Sequence, residues 1–388
     1  MAAKKLSVGP AAHCGNGLVT SIEDSPNPTV HFHSECRECT EFLWFHLEAE
    51  GVGGRPLRFV WENAYYCLGN SNKLGNVRPV YNIGRGWQRV GSVESVETLE
   101  GPRVAFEVPP AGNNVSVAFC YPYDLAELES LLNDLPAKPQ ETIVAVTSRS
   151  RLIKRYRFPA AKPACRGAVE KPPGIYIIAR QHSGETPGTW AMDGIFRFLA
   201  NGGAPDIEWW LVPFVDLDGV QDGNYGKDAL PYDFNRAWGK LPMRPELKGL
   251  QRDISTFSTV TSPCALLDLH APGHNEDGIY THLPHEGRPD DQRKRVQQWA
   301  ECLHKRLVEV MGRDEEAYYH EMNYISRWDK NNTVCSWAWD ELKLPAFGTE
   351  VSYQSYGGEI LDPDGYRKAG RALALAALDY LAAAKCVE

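Results

Sequence analysis

No part of this chain approaches the roughly 20 consecutive apolar residues that an α-helix needs to cross a bilayer. Met1 to Lys5 are followed by no continuous apolar core of signal-peptide length, so a soluble, cytoplasmic protein with no membrane association is expected. Positive charge is also in short supply. The 41 Lys and Arg stand against 50 Asp and Glu, for a formal charge of -9 and a pI near 5.7. Nucleic-acid binders usually carry a basic face, so nucleic acid is not an expected partner. Cysteine is not dense either: 10 residues scattered over 388 do not make the framework of a secreted disulfide domain, and most should be reduced and buried. Nothing in the composition speaks to oligomeric state.

With 43% hydrophobic residues the chain is globular, and 388 residues suit two domains, one small and one large. The first 120 residues hold short β-branched and aromatic runs, among them Phe42 to Leu47, Leu57 to Trp61, Arg103 to Val108 and Val115 to Phe119. Clusters of Gly, Asn and Pro separate them, the pattern of an antiparallel β-sandwich, expected over residues 1–120. The texture changes near residue 121. Asp124 is placed to cap a helix through Leu125 to Leu132, and apolar runs then alternate with helical ones. Buried strands are expected at Thr142 to Thr147, Gly174 to Ala179, Glu208 to Val215 and Cys264 to Leu269. Helices are expected at Thr186 to Leu199, Arg288 to Val310 and Pro363 to Ala384. Residues 121–388 therefore read as an α/β domain, a central parallel or mixed sheet flanked by helices.

In such sheets ligands gather beyond the carboxyl ends of the strands. His182-Ser183-Gly184-Glu185 follows one apolar strand, Asp268-Leu269-His270 ends another, and Thr349-Glu350 leaves a third. A histidine and a carboxylate three residues apart on one turn can reach a metal from the same side. With His270 they form a two-histidine, one-carboxylate set, which leaves a single zinc ion a fourth position for water and lowers that water's pKa toward ~7. The outer nitrogen of a ligand histidine needs an acceptor, and Asp233 and Asp268 are the carboxylates in place, although Asp268 could equally cap its own strand. Glu350 would be costly to bury unpaired; it has either a salt-bridge partner or a proton to handle, and in a metal hydrolase it is the natural general base.

The strings Ala179 to Thr186, Val215 to Val220 leading to Gly223-Asn224-Tyr225, Asp233 to Trp238, Asp268-Leu269-His270 and Thr349-Glu350 together resemble the zinc metallocarboxypeptidase family. Within it the chain looks most like the cytosolic carboxypeptidase subfamily, because Phe119 to Tyr123 resembles the join between that subfamily's amino-terminal sandwich and its catalytic domain. The resemblance implies that His182, Glu185 and His270 bind zinc and that Glu350 is the general base. It further implies that Asn235 and Arg236 hold the terminal carboxylate of a peptide or protein substrate and that Asp233 orients the first zinc histidine. A planar guanidinium suits bidentate carboxylate binding.

The chain departs from the family in one place. The family has an arginine shortly after Gly-Asn-x, where this chain reads Gly226-Lys227, so Lys227 is expected to supply the oxyanion charge as a point charge in place of a fork. Tyr324 is the candidate for the family's substrate-contacting tyrosine, with Tyr318 and Tyr319 as competitors. Members that trim glutamate use a basic residue in the side-chain pocket, and Thr333 to Trp337 has none; Arg327 or Lys330 could substitute. The basic run Arg149 to Arg157 could attract an acidic tail or be an ordinary solvated face. His31 to Cys39 holds two histidines and a Cys-x-x-Cys, a conceivable second metal site, though strand alternation alone also places such residues on one face. Two other functions fit the same residues: a zinc deacylase of N-acyl amino acids, and a non-catalytic holder of peptide tails that would keep Arg236 without needing Glu350.

Overall fold

The structure is a computed structural model that describes residues 5–67, 78–110, 112–161, 171–239, 244–274, 276–284, 288–312, 319–321 and 332–385. Among the described residues, twenty strands and eight α-helices follow one another.

The first 120 residues contain β1 (Ser7–Pro10), β2 (Leu18–Glu23), β3 (Thr29–His33), β4 (His46–Glu50), β5 (Leu57–Trp61), the short helix α1 (Ala64–Cys67), β6 (Val80–Asn82), β7 (Trp87–Arg89), β8 (Glu94–Val96), β9 (Arg103–Val108) and β10 (Asn114–Ala118). They form two five-stranded sheets, in the orders β1-β4-β10-β6-β7 and β2-β3-β5-β9-β8. Neighbouring strands are antiparallel with one exception: β3 and β5 run parallel, with Phe32 opposite Trp61. Alternation sends one face of each strand inward, where aromatic rings supply most of the buried bulk. Phe45 lies 4.9 Å from Phe32 and 5.1 Å from Trp61, edge to face. Phe119, the last ring of this set, lies 5.0 Å from Tyr353. The buried apolar residues accordingly form one continuous cluster that runs from Leu6 to Leu381.

Helix α2 (Leu125–Asp134) starts where the sequence places it. Asp124 accepts from Ala126 N and Glu127 reaches back to Asp124 N, a reciprocal cap. Beyond it lie β11 (Gln140–Val146), β12 (Leu152–Phe158), β13 (Gly174–Ala179), α3 (Thr186–Ala200), β14 (Glu208–Val212), α4 (Leu217–Asp222), α5 (Pro245–Val260), β15 (Cys264–His270), β16 (Ile279–Leu283), α6 (Asp290–Met311), β17 (Tyr319–Glu321), α7 (Val334–Leu342), β18 (Ala346–Val351), β19 (Ser355–Tyr356), β20 (Glu359–Ile360) and α8 (Pro363–Lys385). Eight strands make the central sheet, in the order β11-β12-β14-β13-β15-β18-β16-β17. It is mixed. β14, β13, β15 and β18 are parallel neighbours, while β11, β12 and β16 bring antiparallel pairings.

Every residue of β13 and β14 is buried, as continuous apolar runs demand when helices cover both faces. Helices α3, α6 and α8 pack together, and α5 lies against β11 and β13. Thr142 to Thr147 differs from expectation. This apolar run belongs to β11, an end strand of the sheet with a register shift between Ile143 and Ala145; Ile143 is 56% exposed. Its apolar residues have no second neighbour to bury them.

The parallel registers decide where the chemistry can sit. Ala179 lies opposite Leu269 and His270 opposite Glu350, so the carboxyl ends of β13, β15 and β18 finish side by side near the middle of the sheet.

Candidate metal centre and its surroundings

The chain leaves β13 through Arg180, a buried arginine at φ 63. A left-handed arginine is strained by roughly 1–2 kcal/mol, and its side chain shows what holds it there. Nε donates to Ser183 O at 2.7 Å, Nη2 donates to the same oxygen, and Nη1 donates to Tyr123 O at 2.9 Å. The guanidinium therefore clamps the His182 to Glu185 turn from behind. Gly184 closes the turn by donating to Tyr225 O at 2.7 Å; a Cβ there would lie 2.5 Å from the Tyr225 ring. Glu185 sits at the start of α3 and makes no side-chain cap bond, so its carboxylate is free to turn inward.

It turns toward two histidines. Glu185 Oε1 lies 2.8 Å from His182 Nδ1, and Oε2 lies 2.8 Å from His270 Nδ1 and accepts from Ala271 N at 3.2 Å. Each imidazole is held from its far side: His182 Nε2 lies 3.2 Å from Asp233 Oδ1, and His270 Nε2 lies 2.9 Å from Asp268 Oδ2. Both aspartates that the sequence offered as acceptors are thus engaged, one per histidine. Each puts the ring proton on the outer nitrogen and turns the Nδ1 lone pair inward. The three inner ligand atoms lie within 4.8 Å of one another. Among the described residues this is the one such group of His, Cys, Asp or Glu that could hold a metal. Zinc bonds of about 2.0–2.2 Å in a tetrahedron set ligand atoms about 3.4 Å apart, so the 2.8 Å contacts between Glu185 and the two imidazoles would open slightly on binding.

The charges fit the same picture. Burial alone would lower the His182 pKa, but Glu185 and Asp233 outweigh it and raise it to about 9. His270 is likewise raised well above its ordinary value, with Asp268 and Glu185 overcoming burial. Burial pushes the carboxyls of Glu185 and Asp233 up, and the imidazoles more than reverse that.

Around this centre stand the other candidates. Asp233 also accepts from Asn235 N at 2.7 Å and from Asp228 N at 2.9 Å, which fixes the short 3₁₀ turn Phe234–Arg236. Asn235 is buried with its amide 3.0 Å from His270 Nε2, and its Oδ1 accepts from Val334 N at the start of α7. One ring nitrogen cannot donate to Asp268 and accept from Asn235 at once; with Nδ1 turned to a metal, Nε2 donates to Asp268. Arg236 is buried beside it and donates from Nη1 to Asn235 O at 3.0 Å. The Glu350 carboxylate has Oε1 3.5 Å from His282 Nε2, while the buried Oε2 has no hydrogen-bond partner. Burial raises the Glu350 carboxyl, and His282 and His270 bring it below its ordinary value. Lys227 lies 3.6 Å from Glu41 Oε2. Tyr324, Tyr318, Arg327 and Lys330 lie outside the described residues, and of Tyr319 only the strand backbone is described.

Two motifs resolve to ordinary structure. The basic run is paired off: Arg149 with Asp222 at 2.7 Å, Arg151 with Asp218 at 2.8 Å, Lys154 with Glu141 at 2.8 Å, Arg157 with Glu208, and Arg155 stacked over Trp210 at 3.5 Å. The possible second metal set is dispersed. His31 and His33 both face Glu62, which Arg103 also holds at 2.6 Å, whereas Cys39 turns away to accept from Gly226 N at 3.2 Å.

Some neighbours of the centre had no signal in the sequence. Gln181 donates to Asp268 Oδ2 at 2.7 Å and accepts from Trp238 Nε1 at 2.6 Å, extending the support behind His270. Tyr353 donates to Tyr225 at 3.2 Å beneath the turn. His282 is a lone histidine on a strand, and only the sheet order reveals that it faces Glu350.

No family model matches the chain. Its sequence is 26% identical over 228 residues to cytosolic carboxypeptidase 2 of Danio rerio, covering 51% of this chain and 31% of that protein. It is 27% identical over 223 residues to cytosolic carboxypeptidase 6 of Caenorhabditis elegans, covering 50% and 46%. The chain thus spans less than half the length of these curated relatives. Among solved structures it superposes on a metallo-carboxypeptidase from Burkholderia cenocepacia with a TM-score of 0.78 at 18% identity, covering 98% of this chain and 100% of that one. A metallo-carboxypeptidase from Pseudomonas aeruginosa, in complex with (2-guanidinoethylmercapto)succinic acid, gives 0.71 at 19% identity, covering 97% and 100%. The sequence likeness to cytosolic carboxypeptidases, the fold shared with metallo-carboxypeptidases and the buried two-histidine, one-glutamate set all point the same way, toward a metallo-carboxypeptidase of the cytosolic kind.

Proposed function

We propose that this chain is a cytoplasmic zinc carboxypeptidase that removes the carboxyl-terminal residue from peptides or protein tails, with residues 121–388 as the catalytic domain and residues 1–120 as a β-sandwich domain beside it. The observation that carries the reading is the convergence of His182, Glu185 and His270, each imidazole backed by its own aspartate, at the sheet edge where Glu350 also ends. His182 Nδ1, Glu185 and His270 Nδ1 would hold one zinc ion, which when bound supplies a Lewis acid and lowers the pKa of water.

The chain's own residues do the rest. Arg236 and Asn235 bind the substrate's terminal carboxylate, which sets the scissile bond one residue in. Lys227 turns its ammonium toward the scissile carbonyl oxygen, where negative charge grows as water attacks the carbon. Glu350 is ionised at neutral pH and takes one proton from the attacking water. As the C–N bond breaks, it delivers that proton to the leaving amine nitrogen, and the new carboxylate and free amino acid separate. Tyr324, outside the described residues, is the candidate for contacting the bound substrate. The likeness to cytosolic carboxypeptidases supports the peptidase reading, and nothing in the geometry favours the deacylase or the non-catalytic alternative.

The test is a peptide ladder followed by mass spectrometry. The protein loaded with Zn²⁺ should shorten peptides stepwise from the carboxyl end, and a chelator should stop it. Release of acyl groups with intact peptides would contradict the proposal.

A further inference from the structure

The loop that carries Lys227 lies directly on the metal-binding turn. Gly226 packs so closely on His182 and Ser183 that a Cβ there would overlap Ser183 N, and Ser183 Oγ donates to Asn224 O at 3.1 Å. Lys227 therefore leaves the backbone beside a ligand histidine. The other side of this loop is gripped from the amino-terminal part of the chain. Asn16 donates to Gly223 O at 2.7 Å, Arg37 to Asp222 O, and Leu230 N to Glu38 O at 2.7 Å; Cys39 bridges Ala229. Two residues further on, Glu41 reaches Lys227 at 3.6 Å, its side chain 44% exposed and that of Lys227 29%.

This pairing bears on substrate choice. A cation beside the scissile carbonyl would ordinarily attract an acidic substrate side chain. Here its charge is already matched, and the basic run that could have guided an acidic tail is neutralised strand by strand. The start of α7 brings no basic residue either. A side chain on the amino side of the scissile bond sits one carbon from the carbonyl that Lys227 faces, so it meets the Glu41–Lys227 pair first. A carboxylate placed there must compete with Glu41 and is repelled by it.

We infer that Glu41 is a specificity-determining residue: it holds the Lys227 ammonium, denies that charge to substrate carboxylates, and makes the enzyme select peptides whose residue before the scissile bond is neutral or basic. The inference rests on the carboxypeptidase reading, and its test separates the two.

Peptides that differ only in Glu, Gln or Lys before the scissile bond are compared by kcat/KM with the full Zn²⁺-loaded protein. The wild type should favour Gln and Lys. In Glu41→Gln the Glu-to-Gln ratio should rise about tenfold, the size of one unscreened charge interaction at several ångström in an intermediate dielectric. Glu41→Asp should keep the wild-type ratio, and high salt should shrink the shift, which a purely structural role would not do. A ratio within twofold of wild type in Glu41→Gln, or a wild type that prefers Glu, overturns the inference. If the wild type cleaves none of the peptides, the carboxypeptidase reading fails. The same Glu-to-Gln comparison, made as Kd by calorimetry on the Zn²⁺-loaded Glu350→Gln protein, then decides the role of Glu41 by the same criteria.

Discussion

Asp233→Asn tests whether the support behind His182 sets metal affinity. Asp233 receives three donors on two oxygens: His182 Nε2 at 3.2 Å and Asn235 N at 2.7 Å on Oδ1, and Asp228 N at 2.9 Å on Oδ2. Asparagine has one oxygen. If its NH₂ takes the place of Oδ1, two donors face a donor; if it takes the place of Oδ2, only Asp228 N does. The second orientation should win, leaving His182 bonded to a neutral amide oxygen that is a weaker acceptor than a carboxylate. Loss of the group that orients and polarises a ligand histidine lowers metal affinity about 10- to 100-fold, or about 1.4–2.7 kcal/mol. The half-buried Asp228 N–H left facing a donor should also destabilise the metal-free fold, by about 1 kcal/mol. Competition with a chromophoric chelator measures the first quantity and denaturant unfolding the second. A folded variant whose Zn²⁺ affinity stays within twofold of wild type would refute the reasoning.

Other expectations follow from packing and burial. A Cβ on Gly370 would overlap Ala191 O where α8 crosses α3, so Gly370→Ala should destabilise by about 2 kcal/mol or more in thermal unfolding, because overpacking outweighs the ~1 kcal/mol helix propensity it adds; a stabilised variant would show that the helices can part. Burial lowers His46 from 6.5 to about 4. The folded state therefore refuses a proton that the unfolded state accepts, and stability should fall as pH drops from 6.5 toward 4, by about 3 kcal/mol from this residue. Denaturant unfolding across that range should show a shallower fall in His46→Gln, and an unchanged slope would remove His46 as the cause.

What the sequence made legible were the features written locally. His182 and Glu185 are three residues apart after an apolar strand, and the Asp124 and Glu127 cap is a short-range signal. The convergence of three strand ends followed from a general rule of α/β sheets. What stayed hidden depends on distant pairing. Glu41 reaches Lys227 only because its segment docks on a loop far along the chain; its neighbour Cys39 meets Gly226 across 187 positions. β11 read as buried because an apolar run does not say whether a strand has one neighbour or two. Helix α5 went unread although Leu247, Leu250, Ile254 and Phe257 recur at helical spacing. The parallel pairing of β3 with β5 is likewise a property of the sheet and not of either strand.

The most direct measurement of the central claim combines zinc content and turnover in Glu350→Gln. Glu350 lies beside the ligand set without belonging to it, so the variant should bind one Zn²⁺ as the wild type does. Its kcat should fall by about 10²- to 10⁴-fold, the usual worth of a positioned acid–base group. Stoichiometric zinc with turnover near zero is the predicted result. Full activity in the zinc-loaded variant would contradict the mechanism.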